Sequence, residues 1–272
     1  MCSINGFENE FSFVRELNGK KVGEVNVLLY DFIHDLFYDI SDDDIIKCWR
    51  NHLLQKSDIL IRIRQVIKGV SIKKGIKNSV HVERLNDFTC FLNECGIPKE
   101  IVKKYMLYHF GDGSIDGSGT NRLSALEYKE NHQLDIDDIN GYFNRYNILD
   151  KAIDRFVLKG NNSDYYIDAI IYGEVNDFFY IKRFDAKRII MSKSSVYSSA
   201  VHFGSLIVQP KNRCLNYNKM YNKDRFLVQI KWYNLYDEII ESINNKIVRA
   251  RNFQDFMDNL WYWFDKCFAF CW

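Results

Sequence analysis

The feature that most constrains the fold is a pair of short alternating segments in the first third of the chain. Residues 58–64, DILIRIR, alternate apolar and charged side chains, which predicts a strand with one buried face. Residues 69–74, GVSIKK, predict a second strand, and the short connection favours an antiparallel hairpin. Ser71 and Lys73 share one face of that strand. The hairpin can therefore bring the Asp58 carboxylate and the Lys73 ammonium to one side of a sheet.

The remaining chain predicts a mixed α/β fold, because helical and alternating patterns both recur along it. Apolar residues make up 47% of the sequence, which is enough for a sizeable core. Helical spacing is found early, in the middle and at the end, and the strand patterns concentrate after residue 160. We predict helices over 23–38, 83–94, 98–108, most of 123–159, 235–249 and 253–264, and further strands over 164–172, 178–183, 205–209 and 226–232.

A glycine-rich segment divides the chain near its middle. Residues 111–120 read GDGSIDGSGT and cannot bury much apolar surface. No GK[ST] follows, so this is not the phosphate loop of a nucleotide-binding protein. We expect a core domain over 1–110 built from a helix, a β-hairpin and a helix. A loop over 111–122 then leads to a β-rich lobe over 123–272, which completes the core or recognises a ligand and closes with helices.

Charge and cysteine content narrow the functional classes. The chain has 37 Lys and Arg against 36 Asp and Glu, so any nucleic-acid binding must rely on local positive charge. Seven cysteines occur without zinc-site spacing, which favours reduced, mostly buried thiols. The first residues lack the apolar centre of a signal peptide, and no apolar run is long enough to span a bilayer. A cytoplasmic protein is therefore expected.

A carboxylate beside a lysine on one face of a sheet is suited to phosphodiester hydrolysis. The carboxylate can hold a divalent cation against the phosphate, and the cation activates water and offsets developing negative charge. The lysine can orient the attacking water or stabilise the additional negative charge. Oxygen ligands favour Mg²⁺ or Mn²⁺ over Zn²⁺. Asp58 and Lys73 are therefore the candidate catalytic pair.

This pattern resembles the PD-(D/E)XK nuclease superfamily, which includes many restriction endonucleases. In that family an Asp on one strand is followed by a (D/E)-x-K triplet on the next. Asp58 matches the first acid and Lys73 the lysine, whereas Ser71 stands where the second acid is expected. Some members take the missing carboxylate from the following helix, where Glu83 would stand. Glu24 resembles the acid that many members carry before the core strands.

The resemblance implies a restriction-endonuclease-like central mixed sheet flanked by helices, with a β-rich C-terminal part. It implies Mg²⁺ as the cofactor, for which Mn²⁺ can substitute, held by Asp58 and Glu83. Lys73 and Glu24 complete the implied catalytic set. The implied activity is endonucleolytic cleavage of DNA in a restriction or defence setting. Double-stranded DNA is the favoured partner, and cutting both strands usually calls for a homodimer with two-fold symmetry.

The second half of the chain offers a candidate DNA-recognition surface. Its strand patterns carry amide and cationic side chains between the apolar ones. Gln side chains can read adenine edges, and Arg or Lys can hold guanine or phosphate. An aromatic strand with flanking charges is also a common core-and-rim pattern. The residues predicted to contact DNA are Lys74, Gln209, Arg213, Arg225, Gln229 and Lys231.

Four alternatives stay open from the sequence. Each candidate acid or lysine has an ordinary structural role, as a strand cap, a solvated strand end or a first-turn helix acid. A second Asp and Lys, at positions 168 and 182, fit the same loose spacing. If no other acid substitutes at the position of Ser71, the chain would be a non-catalytic nucleic-acid-binding protein. It is a protein-interaction component if the aromatic segment 260–272 contacts a partner.

Overall fold

The structure is a computed structural model of the chain, and it divides into two compact units, Met1–Leu235 and Tyr236–Trp272. In the second unit the described residues, 236–245, are helical. Among the helices of the described residues, none is long and apolar enough to cross a membrane. The residues described are 6–53, 55–75, 78–160, 165–194, 200–212 and 219–245.

Helices surround two separate sheets, which confirms the predicted mixed α/β class. The named helices are α1 (Gly6–Leu17), α2 (Val27–Leu36), α3 (Leu85–Glu94), α4 (Lys99–Phe110), α5 (Ala125–Phe143), α6 (Tyr146–Ile153) and α7 (Arg183–Ser192). Short turns of 3-10 helix cover Val22–Glu24 and Lys219–Phe226, and a π-helical turn covers Asp154–Leu158. The strands are β1 (Ile46–Arg50), β2 (Ile59–Ile63), β3 (Val66–Lys73), β4 (Asn78–Arg84), β5 (Ala169–Glu174), β6 (Asp177–Lys182), β7 (His202–Phe203), β8 (Leu206–Pro210) and β9 (Leu227–Trp232).

The first sheet has five strands in the order β1-β2-β3-β5-β6, and the predicted hairpin lies at its centre. β2 and β3 are antiparallel with Ile59 opposite Val70, whereas β3 and β5 are parallel. The buried residues of one face, including Ile61 and Ile171, pack with α1 and α2 in one apolar cluster. Side chains alternate along a strand, so Asp58 and Ser71 belong to the opposite face. The fold thus separates a helix-covered face from a face that carries polar residues.

The second sheet has four strands in the order β4-β9-β8-β7. Its first strand corrects the predicted helix over 83–94, which begins only at Leu85. Residues 78–84 are a strand because they pair with β9, and Asn78 lies opposite Trp232. A partner this distant in sequence leaves no local pattern, and Asn78 and Ser79 mimic a helix cap. Glu83 therefore lies on a strand, not on a helix.

Other predicted elements are placed with shifted ends. The helix predicted over 23–38 begins at Val27, because the Asn26 side chain accepts a hydrogen bond from the Leu29 amide and caps it. The helix predicted from Pro98 is α4, and the later strand predictions correspond to β5, β6, β8 and β9. Five of the named helices and strands were not predicted: α1, β1, β4, α7 and β7. Of the closing helices, residues 235–245 are helical, and the predicted helix over 253–264 lies outside the described residues.

Strands from both sides of the glycine-rich segment join each sheet. β5 and β6 extend the sheet that contains the hairpin, and β4 joins a sheet built otherwise from later strands. Within that segment the buried Asp112 carboxylate accepts hydrogen bonds from the Ser114 amide and hydroxyl. The division into a core over 1–110 and a lobe over 123–272 stays a prediction.

The Phe88 side chain is fully buried within a cluster of aromatic rings. Phe88→Ala is expected to lower the free energy of unfolding by about 3–5 kcal/mol, because burial and packing are lost together. Phe184→Ala is the matched control, since that ring is 73% exposed, and it should cost less than about 1 kcal/mol. Urea denaturation measures both values, and equal losses would contradict the placement of Phe88. The ring partners of Phe88 are Phe91, Tyr105, Phe143, Phe156 and Phe203.

Candidate functional site

Asp58 lies immediately before β2 and is held on one oxygen by three donors. Its Oδ2 accepts hydrogen bonds from the Ile72 amide at 2.6 Å, the Ser71 hydroxyl at 2.9 Å and the Lys73 ammonium at 3.2 Å. Oδ1 makes no hydrogen bond with the described residues. These three hydrogen bonds fix the orientation of the carboxylate. The hairpin therefore presents a fixed negative charge with one oxygen available.

Ser71 takes a specific part in this arrangement. It is 4% exposed, and its hydroxyl donates directly to the Asp58 carboxylate. A second acid at this position would place a like charge beside Asp58, whereas the hydroxyl donates a hydrogen bond to it. Ser71 thus leaves one carboxylate here in place of two adjacent ones.

A cavity of about 220 Å³ opens beside this pair. Asp58, Ser71 and Lys73 line it from the first sheet, and β4 supplies His81 from the second. The Lys73 side chain is 21% exposed and that of Asp58 27%, so both are partly removed from water. Electrostatic interactions are stronger in such a setting than in bulk solvent. The other lining residues are Gln55, Lys56, Val80, Val82, Val157, Ile170, Trp232 and Leu235.

A second lysine, Lys56, shares this cavity and was not predicted from the sequence. Its Nζ donates to the Val80 carbonyl at 2.8 Å and lies 2.9 Å from His81 Nδ1. Burial, together with the nearby Lys73 charge, lowers the pKa of Lys56 to about 7. Burial also lowers the pKa of His81. A neutral His81 accepts a hydrogen bond from Lys56 at Nδ1 and carries its own proton on Nε2.

Glu83 lies behind His81 and is paired with Arg155. The Arg155 guanidinium donates to Glu83 Oε2 at 2.7 Å, and His81 Nε2 lies 3.3 Å from the same oxygen. The Glu83 side chain is only 4% exposed. Glu83 is not among the residues that line the cavity in the described part of the chain. Its assignment as a metal ligand stays a prediction, and the structure gives it the role of anchoring Arg155 and His81.

Two other predicted residues lie apart from the cavity lining. Glu24 is exposed in the 3-10 turn, and its carboxylate accepts a hydrogen bond from the Lys21 amide at 3.0 Å. Lys74 is paired with Glu174 at the end of β5. These contacts are typical of a turn cap and of a surface ion pair. The roles predicted for Glu24 in catalysis and for Lys74 in DNA binding stay predictions.

The alternative pair at positions 168 and 182 does not converge. Asp168 accepts hydrogen bonds from Lys68 Nζ at 3.0 Å and from the Gly69 amide at 2.9 Å. Lys182 pairs instead with Asp35 at 2.5 Å. Asp168 thus fixes the start of the β3–β5 pairing. Of the two Asp and Lys pairs that the sequence offers, only the first meets in an ion pair in the described residues.

Three of the predicted DNA-contacting residues share one groove. Gln209 on β8 lies opposite Gln229 on β9, and their amides are 3.3 Å apart. The Gln229 amide also donates to the Ser79 hydroxyl on β4. Lys231 lines the same groove, whose volume is about 630 Å³. β9 contributes Trp232 to the first cavity as well, so one strand borders both sites.

Arg225 has a structural partner within the first unit. Its guanidinium pairs with Asp112, whose side chain is fully buried, and donates to the Gly119 carbonyl at 3.4 Å. Arg225 therefore ties the 3-10 turn before β9 to the glycine-rich segment. Arg213 lies outside the described residues. The DNA-binding roles predicted for both arginines stay predictions.

One oxygen of the Asp58 carboxylate is suited to a hard divalent cation. Asp58 Oδ1 is a carboxylate oxygen without a hydrogen bond to the described residues, and such oxygens suit Mg²⁺ and Mn²⁺. In the described ranges, no three His, Cys, Asp or Glu side chains form a group that could hold a metal. Mg²⁺ is commonly held by one or two carboxylates, with waters and phosphate oxygens completing its shell. A single carboxylate is thus compatible with the cation implied by the sequence.

Comparison with known proteins identifies the fold. No family model matches the chain, and no curated protein matches its sequence. Among solved structures, the chain is similar to the restriction endonuclease MspI in complex with its cognate DNA, with a TM-score of 0.53. The similarity covers 83% of this chain and 91% of that one, at 14% sequence identity. The chain therefore has a restriction-endonuclease-like fold, as the resemblance predicted.

Arg155 is expected to be essential for stability because it neutralises a buried carboxylate. Arg155→Met should lower the free energy of unfolding by about 3–5 kcal/mol, the usual cost of removing one partner of a buried ion pair. Arg188→Met is the matched control, since Arg188 is 54% exposed in its pair with Asp185, and it should cost less than about 1 kcal/mol. Chemical denaturation compares the two. Similar losses, or no recovery when Glu83→Gln is added to Arg155→Met, would refute the buried-pair account.

Proposed function

We propose that this chain is a metal-dependent endonuclease that hydrolyses phosphodiester bonds of double-stranded DNA. The main support is the ion pair between Lys73 and Asp58 Oδ2, which lines a cavity on one face of the hairpin. The restriction-endonuclease-like fold supports the same assignment. On this proposal the chain is a member of the PD-(D/E)XK superfamily in which Ser71 replaces the second acid. A restriction or defence role fits this activity.

The chain's own groups account for binding and orientation of the substrate. Lys73, held beside Asp58, donates to a phosphate oxygen or to the attacking water as negative charge develops. The Ile72 amide and the Ser71 hydroxyl donate hydrogen bonds to Asp58 and fix the direction of its carboxylate. Preorganised groups of this kind lower the barrier because they need not reorient during the reaction. Burial of the surrounding sheet surface keeps these interactions strong.

Mg²⁺, with Mn²⁺ as a substitute, is the proposed cofactor. Asp58 would hold it through Oδ1, and the cation would supply water activation and offset charge on the phosphate. Glu83 is the second proposed ligand, on the condition that substrate or cation binding draws it away from Arg155. Otherwise Glu83 acts through His81 as a positioning residue. Glu24 would join the site only through a comparable rearrangement.

The groove between β8, β9 and the neighbouring helices is the proposed recognition surface. Gln209 and Gln229 present amides that can pair with adenine edges, and Lys231 can donate to guanine or phosphate. Because β9 borders both sites, it would hold the base-contacting residues at a fixed distance from the cavity. Lys74, Arg213 and Arg225 are proposed to add phosphate contacts. In this proposal residues 1–110 supply the catalytic residues of the nuclease core, the later lobe completes its sheet and reads DNA, and a homodimer cuts both strands.

Cleavage of supercoiled plasmid in Mg²⁺ and in Mn²⁺ tests the proposal. Asp58→Asn and Lys73→Ala should each reduce the cleavage rate by about 100-fold or more, because each removes a charge at the reacting phosphate. Asn at position 58 can still accept the Ile72 and Ser71 hydrogen bonds, so folding should persist. The matched controls are Asp177→Asn and Lys47→Ala, since both residues are exposed.

Two outcomes would contradict this assignment. Cutting that survives both variants would show that the reaction occurs elsewhere. Metal-independent binding of duplex DNA with no cutting under either cation would instead favour a non-catalytic DNA-binding protein. Ser71 in the position of an acid would then be the physical reason. The remaining alternative, a protein contact through residues 260–272, concerns a segment outside the described residues.

A further inference from the structure

We propose that Lys56 is a second phosphate-binding residue of the cavity, acting with Lys73 as a two-lysine clamp on one DNA phosphate. The inference rests on the proposed nuclease function but assigns a residue that the Asp and Lys pattern does not include. Lys56 precedes β2 and lines the same cavity as Asp58 and Lys73. Its ligand is defined chemically as an anionic phosphodiester oxygen.

The hydrogen bonds of Lys56 leave one donor for a ligand. A lysine ammonium has three N–H groups. Two are directed to the Val80 carbonyl and to His81 Nδ1, at 2.8 and 2.9 Å. Among the described residues no third acceptor contacts Nζ. The third N–H therefore remains for an acceptor within the cavity that Lys56 lines.

The neighbouring residues hold the ammonium in position. His81 accepts at Nδ1 only when its proton lies on Nε2, and Nε2 faces the Glu83 carboxylate at 3.3 Å. Arg155 fixes that carboxylate from the other side at 2.7 Å. The His81 ring also packs on the Phe156 ring, with centroids 5.3 Å apart. This chain of contacts orients Lys56 without placing a carboxylate directly on it.

The charge balance of the cavity favours an anion. Lys56 and Lys73 are like charges at one cavity, and Asp58 is the only acid among the residues that line it in the described chain. A phosphate oxygen between the two lysines would offset the repulsion between their charges. The site is thus suited to an anion even before a metal ion is considered.

The salt dependence of DNA binding tests this inference separately from cleavage. Duplex binding is measured by fluorescence anisotropy in EDTA across a salt series, for wild type, Lys56→Met, Lys56→Arg and Lys47→Met. Because Lys73 is already paired with Asp58, losing the Lys56 charge should remove the net neutralisation of one phosphate and reduce the slope of log K against log salt by about 0.9. Binding at low salt should weaken by about tenfold. Lys56→Arg should restore the slope, and Lys47→Met should match wild type.

The outcomes separate the two proposals. A reduced slope in Lys56→Met with rescue by Lys56→Arg supports the clamp, whether or not the wild type cuts DNA in Mg²⁺. An unchanged slope overturns the clamp, and wild-type cutting then leaves the nuclease proposal standing. Wild-type protein that does not bind duplex DNA overturns the clamp as well. If Lys56→Met fails to fold, Lys56→Gln, which can still donate to Val80, gives the same readout.

Discussion

The register between β2 and β3 is the constraint on which the rest of the site depends. Ile59 lies opposite Val70, so Asp58 meets Ser71, Ile72 and Lys73 at the end of the hairpin. A slip of one residue would turn every side chain to the other face of the sheet. The apolar residues that pack against α1 and α2 prevent this slip. The hydrophobic core thereby determines which polar side chains meet on the opposite face.

The second sheet supplies the electrostatic surroundings of that hairpin. β4 brings His81 to the cavity and places Glu83 against Arg155 from the π-helical turn. Since the carboxylate of Glu83 is compensated by a guanidinium, the negative charge that lines the cavity comes from Asp58. The two lysines then make the cavity attractive to anions. The same sheet carries the glutamine pair of the groove, so substrate contact and base contact would depend on one structural unit.

Local sequence patterns were sufficient to predict the hairpin but not the elements around it. Alternation and a short connection are properties of adjacent residues, so Asp58 and Lys73 could be paired from the sequence. β4 could not be recognised, because its contacts with β9 join residues 150 positions apart. Asn78 and Ser79 favoured a helix start by their cap chemistry, and tertiary pairing overrode that preference. Glu83 was therefore assigned to the wrong kind of element.

Charged residues were the hardest to predict, because their roles depend on partners that the sequence does not specify. Lys56 stands only two positions before Asp58, and its approach to His81 depends on the contact between the sheets. Arg155 reaches Glu83 from 72 positions away. Arg225 was predicted to contact DNA because it is a cation in a strand-rich region. Its partner, Asp112, belongs to a segment that the sequence identified only as a loop. Composition identified the available charges, whereas the fold determined which of them are neutralised.

The most direct test of the central claim is whether Asp58 and Lys73 act as one unit on DNA. Single-turnover cleavage is measured for Asp58→Asn, Lys73→Ala and the double variant in Mg²⁺. Groups that act together are strongly non-additive, so the double variant should cut about as slowly as the slower single variant. Losses that multiply, or single variants that cut like wild type, would contradict a joint catalytic centre on this hairpin.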